Sequence, residues 1–459
     1  MDIKEILAME NPQEIIQKLK NKTIVVPAWA ELEKEYDPRQ HPVMTDPEYQ
    51  PETRAGHKRQ LTQVTIGLQK LATKRIAGLL FGIPAVRVYK PKNDSEQKAA
   101  DIMEAIFKKN RIDSVNIERA KQLYSSCEIA TLWYTQEQEA EYAGEKSSLK
   151  LRCRVYSPKS GMGLFPLFDE YDDMTAQSME YTRKEDGVSA KYFDTYTEGK
   201  HIRWRQTSKS MEVDVEEDNP IGKIPCVYMH RDEPIWEDQS NNVYELEWTI
   251  SRNGNYLRKN ARPKWVVYSD KKITFDKESN DEKRGRDVLQ YPKDAKAGFE
   301  TWQQATESLK FHVEELKKDY FMNLQLPDMS MENMKAVAMS GESRKMMFID
   351  AQMKAGDESG IWLEAFDREI NVIKAHCKTM FPGLSGAFDS LEVETRINPF
   401  QINDDSEKIG NLTNATGGKQ IMSQRTAIQI LGEVDDVDAE LEAINSETQI
   451  ADVMDTLAE

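Results

Sequence analysis

The sequence is poor in the residues that build disulfide frameworks and metal centres. It has four cysteines in 459 residues, with no CxxC pair, and six histidines that form no HExxH motif. His376 and Cys377 are adjacent, and adjacent side chains on a helix point in different directions, unlike metal ligands that share one face. We therefore expect reduced structural thiols in a cytosolic setting, no metal site and no cofactor.

Long apolar runs are also missing. The longest uncharged apolar run, residues 76–86, is much shorter than the roughly 20 residues that a helix needs to cross a bilayer. The first residues, Met-Asp-Ile-Lys-Glu, lack the basic start and apolar stretch of a signal peptide. We expect a soluble protein that makes no contact with a membrane.

The usual motifs of catalysis are absent. No GxxxxGK[ST] loop occurs, so the backbone cradle and lysine that hold a nucleoside triphosphate are missing. Gly383-Leu-Ser-Gly lacks the second glycine of a nucleophile elbow at the required place. No carboxylate pair stands out from the acidic background. We predict no catalytic residues and a protein that is not an enzyme.

Positive charge is in deficit. The chain has 62 basic and 79 acidic residues, a formal net charge of −17, which argues against a protein that coats nucleic acid by neutralising phosphates. Residues 433–459 contain ten acidic residues and no lysine or arginine, which is typical of a solvated face. Any contact with DNA is therefore expected to be loose or local.

The length allows about three folding units. Residues 11–50 predict a short helix, Pro12–Lys20, followed by a proline-bearing arm whose order comes from a neighbour. The apolar period then predicts a helix from His57 to the Gly82-Ile-Pro stop. A strand at Val86–Tyr89 and helices at Ser95–Asn110 and Val115–Cys127 follow.

Between residues 129 and 230 the apolar period shortens to two, which indicates a mostly antiparallel β region. We predict strands at Ala130–Tyr134, Leu149–Tyr156, Ser189–Tyr196, His201–Trp204 and Met211–Val215, closed by the turn Asn219–Pro225 and a last strand.

Two helices of similar length come next. Asn241–Lys259 and Thr301–Tyr320 would span about 29 Å and about 30 Å at 1.5 Å per residue. They enclose an insertion of roughly 40 residues, which predicts an up-and-back hairpin with a small domain at its tip. From Lys259 to Lys296 this stretch has eleven basic and seven acidic residues, the most basic compact stretch of the chain.

The remainder predicts a methionine-rich loop at 328–340 and a long helix at Glu342–Thr379, which Gly356 and Gly360 should weaken or bend. We further predict a strand at Leu391–Ile397, a helix at Gln424–Leu431 capped by Ser423 and ended by Gly432, and an acidic helix from Asp435.

Four short motifs occur in order around the helical hairpin. They are Leu80-Phe-Gly-Ile-Pro84 at a helix end, Ile106-Phe-Lys-Lys-Asn110-Arg-Ile-Asp113 followed by Asn116, Asn219-Pro-Ile-Gly-Lys-Ile-Pro225, and Gly418-Lys-Gln-Ile-Met-Ser423 with Val434-Asp-Asp-Val-Asp-Ala-Glu440-Leu441. In this order, from about residue 55 to 446, the sequence resembles the portal proteins of tailed bacteriophages, especially those of the siphophage type.

The resemblance implies an α+β portal fold that forms a ring. Its parts would be a wing with a mostly antiparallel β region and helices, a two-helix stem, a small α/β clip and a short helical crown. By resemblance these are residues 1–235 and 322–420 for the wing, 236–259 and 301–321 for the stem, 260–300 for the clip and 421–459 for the crown.

The resemblance also implies which residues face DNA and partners. The tunnel loop would place Met329, Met331, Met334, Lys335 and Met339 in a DNA channel, where flexible thioethers form a lining without fixed ion pairs. Stem cations at the channel would be Arg252, Arg258, Lys310, Lys317 and Lys318, unless they pair with a neighbouring subunit or face water. The clip would dock partners through Lys264, Trp265, Tyr268, Lys271, Lys272, Arg284, Arg286 and Tyr291.

The implied function is a dodecameric ring at one capsid vertex, made in the host bacterial cytoplasm and retained in the virion, through which double-stranded DNA is packaged and ejected. The implied partners are further copies of the chain, the terminase large subunit, a head-tail adaptor, and the major capsid and scaffold proteins. Two alternatives stay open: another structural or adaptor protein of a phage head, and a hydrolase of polysaccharides or nucleotides with an inserted β domain.

Overall fold

The computed structural model describes residues 3–22, 24–49, 53–54, 57–58, 61–185, 187–207, 210–260, 264–268, 296–300, 306–327, 348–400, 405–417, 420–432, 437 and 439–446. The helices are α1 Ile3–Leu7, α2 Pro12–Leu19, α3 Trp29–Tyr36, α4 Pro42–Thr45, α5 Leu68–Phe81, α6 Asp94–Lys109, α7 Ile112–Ser126, α8 Ser240–Asn260, α9 Thr306–Asn323, α10 Ile349–Met380, α11 Ser385–Ser390, α12 Asp405–Thr416 and α13 Gln424–Leu431. The strands are β1 Thr53–Arg54, β2 His57–Lys58, β3 Val86–Lys90, β4 Glu128–Tyr142, β5 Glu145–Tyr156, β6 Gly163–Phe168, β7 Met174–Glu185, β8 Val188–Tyr196, β9 Lys200–Gln206, β10 Met211–Asp218, β11 Cys226–His230, β12 Lys264–Tyr268, β13 Lys296–Glu300 and β14 Glu392–Arg396.

The β region is antiparallel, as its alternating pattern predicted. Strands β10, β9, β8, β7 and β6 form one five-stranded sheet in that order, and β11, β4 and β5 form a second sheet of three strands. Strands β6 and β7 are absent from our predicted set. Gln177 and Ser178 of β7 are both buried, so this strand is covered on both faces and does not alternate between apolar and polar residues.

The five-stranded sheet packs on both of its faces. Successive strand residues point to opposite faces. On one face, Phe193 and Trp204 pack with Ile16 and Leu19 of α2. On the other, Met179 packs with Tyr228 of β11. The helix α2 that we predicted therefore has a structural role, since it covers the outer face of the sheet.

The main core lies between α5, α6, α7, α10 and the second sheet. Among its fully buried side chains are Trp133, Trp236 and Trp362. The long helix α10 continues without a break through Gly356 and Gly360, contrary to the weakening that we expected. Each glycine costs about 1 kcal/mol of helix propensity relative to alanine, a cost that the burial of residues such as Trp362 in the core exceeds.

Two predictions for the first 70 residues were wrong. The proline-bearing arm contains helix α3 and buries Leu32, His41 and Val43 within its own chain, so its order does not depend on a neighbour. The helix predicted from His57 begins only at Leu68. Residues 61–67 are not helical, because side chains of α8 accept hydrogen bonds from the N–H groups of Thr62, Val64 and Ile66.

The following predicted elements are present among the described residues, whereas the predicted loop at 328–340 lies outside them. Helices α6, α7, α8, α9 and α13 and strands β3, β11 and β14 lie where the pattern predicted them, with boundaries shifted by a few residues. The side chain of Ser423 accepts a hydrogen bond from the N–H of Thr426, and Gly432 ends that helix in a left-handed conformation. Residues 439–446, in the acidic segment, are helical.

Candidate functional site: a helical hairpin and the polar groups at its base

Helices α8 and α9 form the predicted antiparallel hairpin. At its base, Asn323 Nδ2 donates to Gln239 Oε1 at 3.2 Å. Further along, His312 Nε2 lies 3.6 Å from Glu245 Oε1. The sequence number rises along one helix as it falls along the other, so the helices run in opposite directions. With 21 and 18 residues, they are about 31 Å and about 27 Å long.

A two-stranded ribbon lies at the far end of this hairpin. Strands β12 and β13 pair antiparallel, with Lys264 opposite Glu300 and Tyr268 opposite Lys296. These two strands thus pair with each other within one chain. Tyr268 is exposed at the end of the ribbon.

The hairpin is electrically balanced although the whole chain is acidic. Residues 240–260 and 306–323 together contain six acidic and six basic side chains. Lys310 lies 3.7 Å from Glu314, and Lys318 lies 3.4 Å from Glu315, each one turn away on α9. Exposed pairs of this kind contribute only about 0–1 kcal/mol, so they leave the lysines available to other anions.

Two further predicted stem cations, Arg252 and Arg258, lie on α8, and the fifth, Lys317, lies on α9. Arg252 is exposed, with its guanidinium 5.3 Å from the ring centre of Trp248. Arg258 and Lys317 are also exposed. The five predicted stem cations are thus all on the surface of the hairpin.

Of the remaining predicted site residues, the structure describes only three. Lys264, Trp265 and Tyr268 are in β12. The others lie outside the described residues: Met329, Met331, Met334, Lys335, Met339, Lys271, Lys272, Arg284, Arg286 and Tyr291.

The chain leaves α9 in a fixed direction just before the predicted tunnel loop. Gln325 adopts a left-handed conformation with φ of 53°, and Leu326 N donates to Phe321 O at 3.1 Å, which ends the helix. Arg75 of α5 donates from Nη1 to Pro327 O at 2.7 Å and stacks 4.3 Å from the Phe321 ring centre. Pro327 and Phe348 both line one apolar cavity of about 310 Å³, so the chain leaves and re-enters at the same place.

Buried polar groups fix the base of the hairpin, and our sequence reasoning missed them. The His41 and Glu247 side chains are fully buried, with Nδ1 2.8 Å from Oε1. His41 Nε2 lies 2.7 Å from Glu35 O, a carbonyl that can only accept, so this nitrogen carries a hydrogen. Nδ1 faces the Glu247 carboxyl at hydrogen-bond distance, so the two side chains are directly coupled.

Glu35, on α3, also forms hydrogen bonds at the start of α8. Its Oε2 accepts from Trp236 Nε1 at 2.8 Å and from Ser240 Oγ at 2.9 Å. Burial, followed by the charge of Glu35, raises the pKa of the nearby Tyr244 phenol to about 12, so this side chain stays protonated. Residues 35–41 thus hold the first turns of α8 through polar contacts.

Other buried charges tie the body together. Arg119 Nη2 lies 2.5 Å from Glu369 Oε1, which also accepts from Trp133 Nε1 at 2.8 Å. Burial lowers the pKa of His376 to about 4, so it is a neutral core residue. In the part of the chain that the structure describes, no group of three or more His, Cys, Asp or Glu side chains is placed to hold a metal ion.

A model of the family described as "Phage portal protein, SPP1 Gp6-like" matches residues 17–453 of this sequence. The match covers the body, the hairpin and the ribbon. The chain belongs to this phage portal family. The resemblance drawn from the four motifs is thereby confirmed, as is the α+β portal fold. Membership implies a place at the portal vertex of a virion.

Among solved structures, the neck of an empty GTA particle, computed with C6 symmetry, is 8% identical with a TM-score of 0.40, over 79% of this chain and 89% of that one. The neck of a native GTA particle, computed with C12 symmetry, is 10% identical with a TM-score of 0.40, over 91% and 98%. No curated protein matches. In the described ranges of this portal-family chain, no helix is both long and apolar enough to cross a bilayer.

A sequence signal for the missed groups does exist. Glu247, Ser251 and Asn255 stand four residues apart, so they form one polar row on a helix. The row is bordered by apolar residues, which suggests a partner that accepts or donates hydrogen bonds. Nothing in the sequence, however, connects this row to His41, which lies 206 positions before Glu247.

We predict that His41→Ala lowers the free energy of unfolding by about 3–5 kcal/mol, because it leaves a buried Glu247 carboxylate without its partner. Urea denaturation measures this. The double variant His41→Ala/Glu247→Gln, which keeps an acceptor without the charge, should recover much of the loss. A loss below about 1 kcal/mol in the single variant would contradict the assignment of a coupled pair.

Proposed function

We propose that identical copies of this chain form a dodecameric ring at one capsid vertex and that double-stranded DNA passes through the ring during packaging and ejection. The family match over residues 17–453 carries this proposal. In it, α8 and α9 are the stem, residues 260–300 the clip, residues 1–235 and 322–420 the wing, and residues 421–459 the crown.

The charge of the hairpin supports a role as the wall of a passage. Duplex DNA carries about one charge per 1.7 Å, so a stem about 30 Å long faces roughly 18 phosphates. A strongly basic wall would bind these phosphates and oppose each step of movement. A balanced hairpin with a few surface cations steadies the duplex without holding it, in a protein whose net charge is −17.

In this proposal the protein is not itself an enzyme. The clip binds the terminase large subunit during packaging and the head-tail adaptor afterwards, and the wing contacts the major capsid and scaffold proteins. The ribbon, which carries the predicted docking residues Lys264, Trp265 and Tyr268, lies between α8 and α9 in the chain.

Negative-stain images of the purified protein test the ring. We expect particles with a central hole large enough for a duplex. Rings or stacks of another symmetry without a channel would favour a different head or adaptor protein. Compact single particles would favour the hydrolase alternative and would overturn the proposal.

The surface lysines of α9 offer a matched comparison. We predict that Lys310→Ala/Lys317→Ala/Lys318→Ala rings assemble normally but retain severalfold less DNA in filled heads, because the duplex loses its contacts in the passage. The control, Lys90→Ala/Lys92→Ala/Lys98→Ala, removes three exposed lysines of the body. Genome content measured by quantitative amplification should fall only for the first variant; equal effects would argue against a DNA contact at α9.

The ribbon allows the clip to be shortened without unpairing its strands. Tyr268 and Lys296 are opposite each other, so Asn-Gly can replace residues 269–295 as a two-residue hairpin turn. We predict that this variant still forms rings but neither packages DNA nor joins the adaptor. Heads that fill normally would refute the assignment of residues 260–300 as the docking clip.

A further inference from the structure

Residues 62–66 run along α8 in a pairing that is neither helix nor sheet. The N–H of Thr62 donates to Asn255 Oδ1 at 2.7 Å, that of Val64 to Ser251 Oγ at 2.9 Å, and that of Ile66 to Glu247 Oε1 at 2.6 Å. Alternate backbone amides of the segment thus bind successive turns of the helix. In the described part of the chain, the amides of Gln63 and Thr65 donate to no protein acceptor.

The spacing of the two elements explains why this pairing is possible. Two residues of extended chain advance about 6.6 Å. Four residues of α-helix advance about 6.0 Å. Every second amide therefore meets the same row of the helix, one turn further on, with a mismatch small enough for flexible side chains to absorb over three contacts.

The row also permits only one register. Its next members are Val243 and Lys259. Valine has no polar atom and lysine has only donors, so neither accepts a hydrogen bond from an amide. Sliding the helix by one turn in either direction would place one amide opposite a side chain that cannot accept its hydrogen bond, and the lost contact would cost about 0.5–1.5 kcal/mol.

Gly254 is a second, independent sign of this close approach. A Cβ built at Gly254 would lie 2.7 Å from Thr62 Cγ2 and 3.2 Å from Thr62 Cβ. Real side chains do not pack this closely, so only glycine lets the segment lie directly on the helix. A glycine inside a helix is otherwise unfavourable.

Tyr49 also contacts α8, next to the row formed by Glu247, Ser251 and Asn255. Its ring packs edge-on against Trp248 with centroids 4.6 Å apart, and its hydroxyl donates to Thr62 O at 3.2 Å. The Asn255 amide donates to the same hydroxyl. His41, Tyr49 and residues 62–66 therefore contact α8 over about three turns.

We propose that Glu247, Ser251 and Asn255 are positioning residues that set the axial register and rotation of α8 against residues 62–66. Because α8 packs along α9 and leads into the ribbon, this register helps to set where the hairpin stands relative to the body, together with the contacts of Arg75 at the base of α9. The effect of the register on a DNA passage rests on the proposed function. The register itself is independent of that function.

Amide hydrogen exchange, resolved to single residues on the full-length protein, tests the register directly. We expect slow exchange at Thr62, Val64 and Ile66 and fast exchange at Gln63 and Thr65. Asn255→Leu should speed exchange at Thr62 about tenfold or more, because its amide loses its acceptor. Asn255→Asp, which keeps an oxygen in place, should restore most of the protection. Thr249→Ala, on another side of the same helix, should leave all five amides unchanged.

A pair of glycine substitutions supplies a test of opposite sign. Replacing glycine by alanine inside a helix normally stabilises the protein. Gly356→Ala, where an added Cβ meets nothing within 4 Å, should raise the melting temperature. Gly254→Ala should lower it and speed exchange at Thr62. Uniform exchange across residues 62–66, or a Gly254→Ala protein as stable as Gly356→Ala, would overturn the proposal.

The register of α8 and its effect on the DNA passage can be refuted separately. If exchange shows the alternating pattern but Asn255→Leu rings fill heads normally, the register lock stands and its role in the passage is refuted. If the protein forms no rings at all, the exchange pattern still decides whether the lock exists.

Discussion

The structure depends on how α8 is held. One side of this helix packs on α9 and the core through Leu246 and Ile250, as an amphipathic helix would. On another side, the described residues that contact the helix include polar groups as well as the Tyr49 ring. This side is bound by the buried pair of His41 and Glu247 and by the amides of Thr62, Val64 and Ile66. Polar contacts of this kind are directional, so they fix a position along and around the helix that apolar packing alone leaves adjustable.

These contacts connect the body to the hairpin and its ribbon. The hairpin and its ribbon are balanced in charge, while the chain as a whole is acidic. The base and the surface of the hairpin therefore differ in their chemistry. Buried hydrogen bonds attach the hairpin to the body, and its surface carries weak, exposed ion pairs. A conduit for a highly charged polymer needs both, a rigid wall and a surface that does not bind tightly.

Local patterns were sufficient for much of the fold. The helices of the hairpin, the helices α6 and α7 and the antiparallel character of the β region follow from apolar period and from caps such as Ser423. Predictions failed where long-range contacts override local preference. The apolar pattern predicts a helix from His57, yet α8 accepts hydrogen bonds from the amides of Thr62, Val64 and Ile66. The glycines of α10 are tolerated because residues such as Trp362 of that helix are buried.

The sequence by itself determined the secondary structure of most elements, the balanced hairpin with its basic insertion, and, through four short motifs, the phage portal family. Only the tertiary structure decided that His41 meets Glu247, that Glu247, Ser251 and Asn255 receive alternate amides, and that Gly254 is needed where Thr62 approaches. The physical reason is distance along the chain. Period and capping act within a few turns, whereas these contacts join residues about 180 to 210 positions apart.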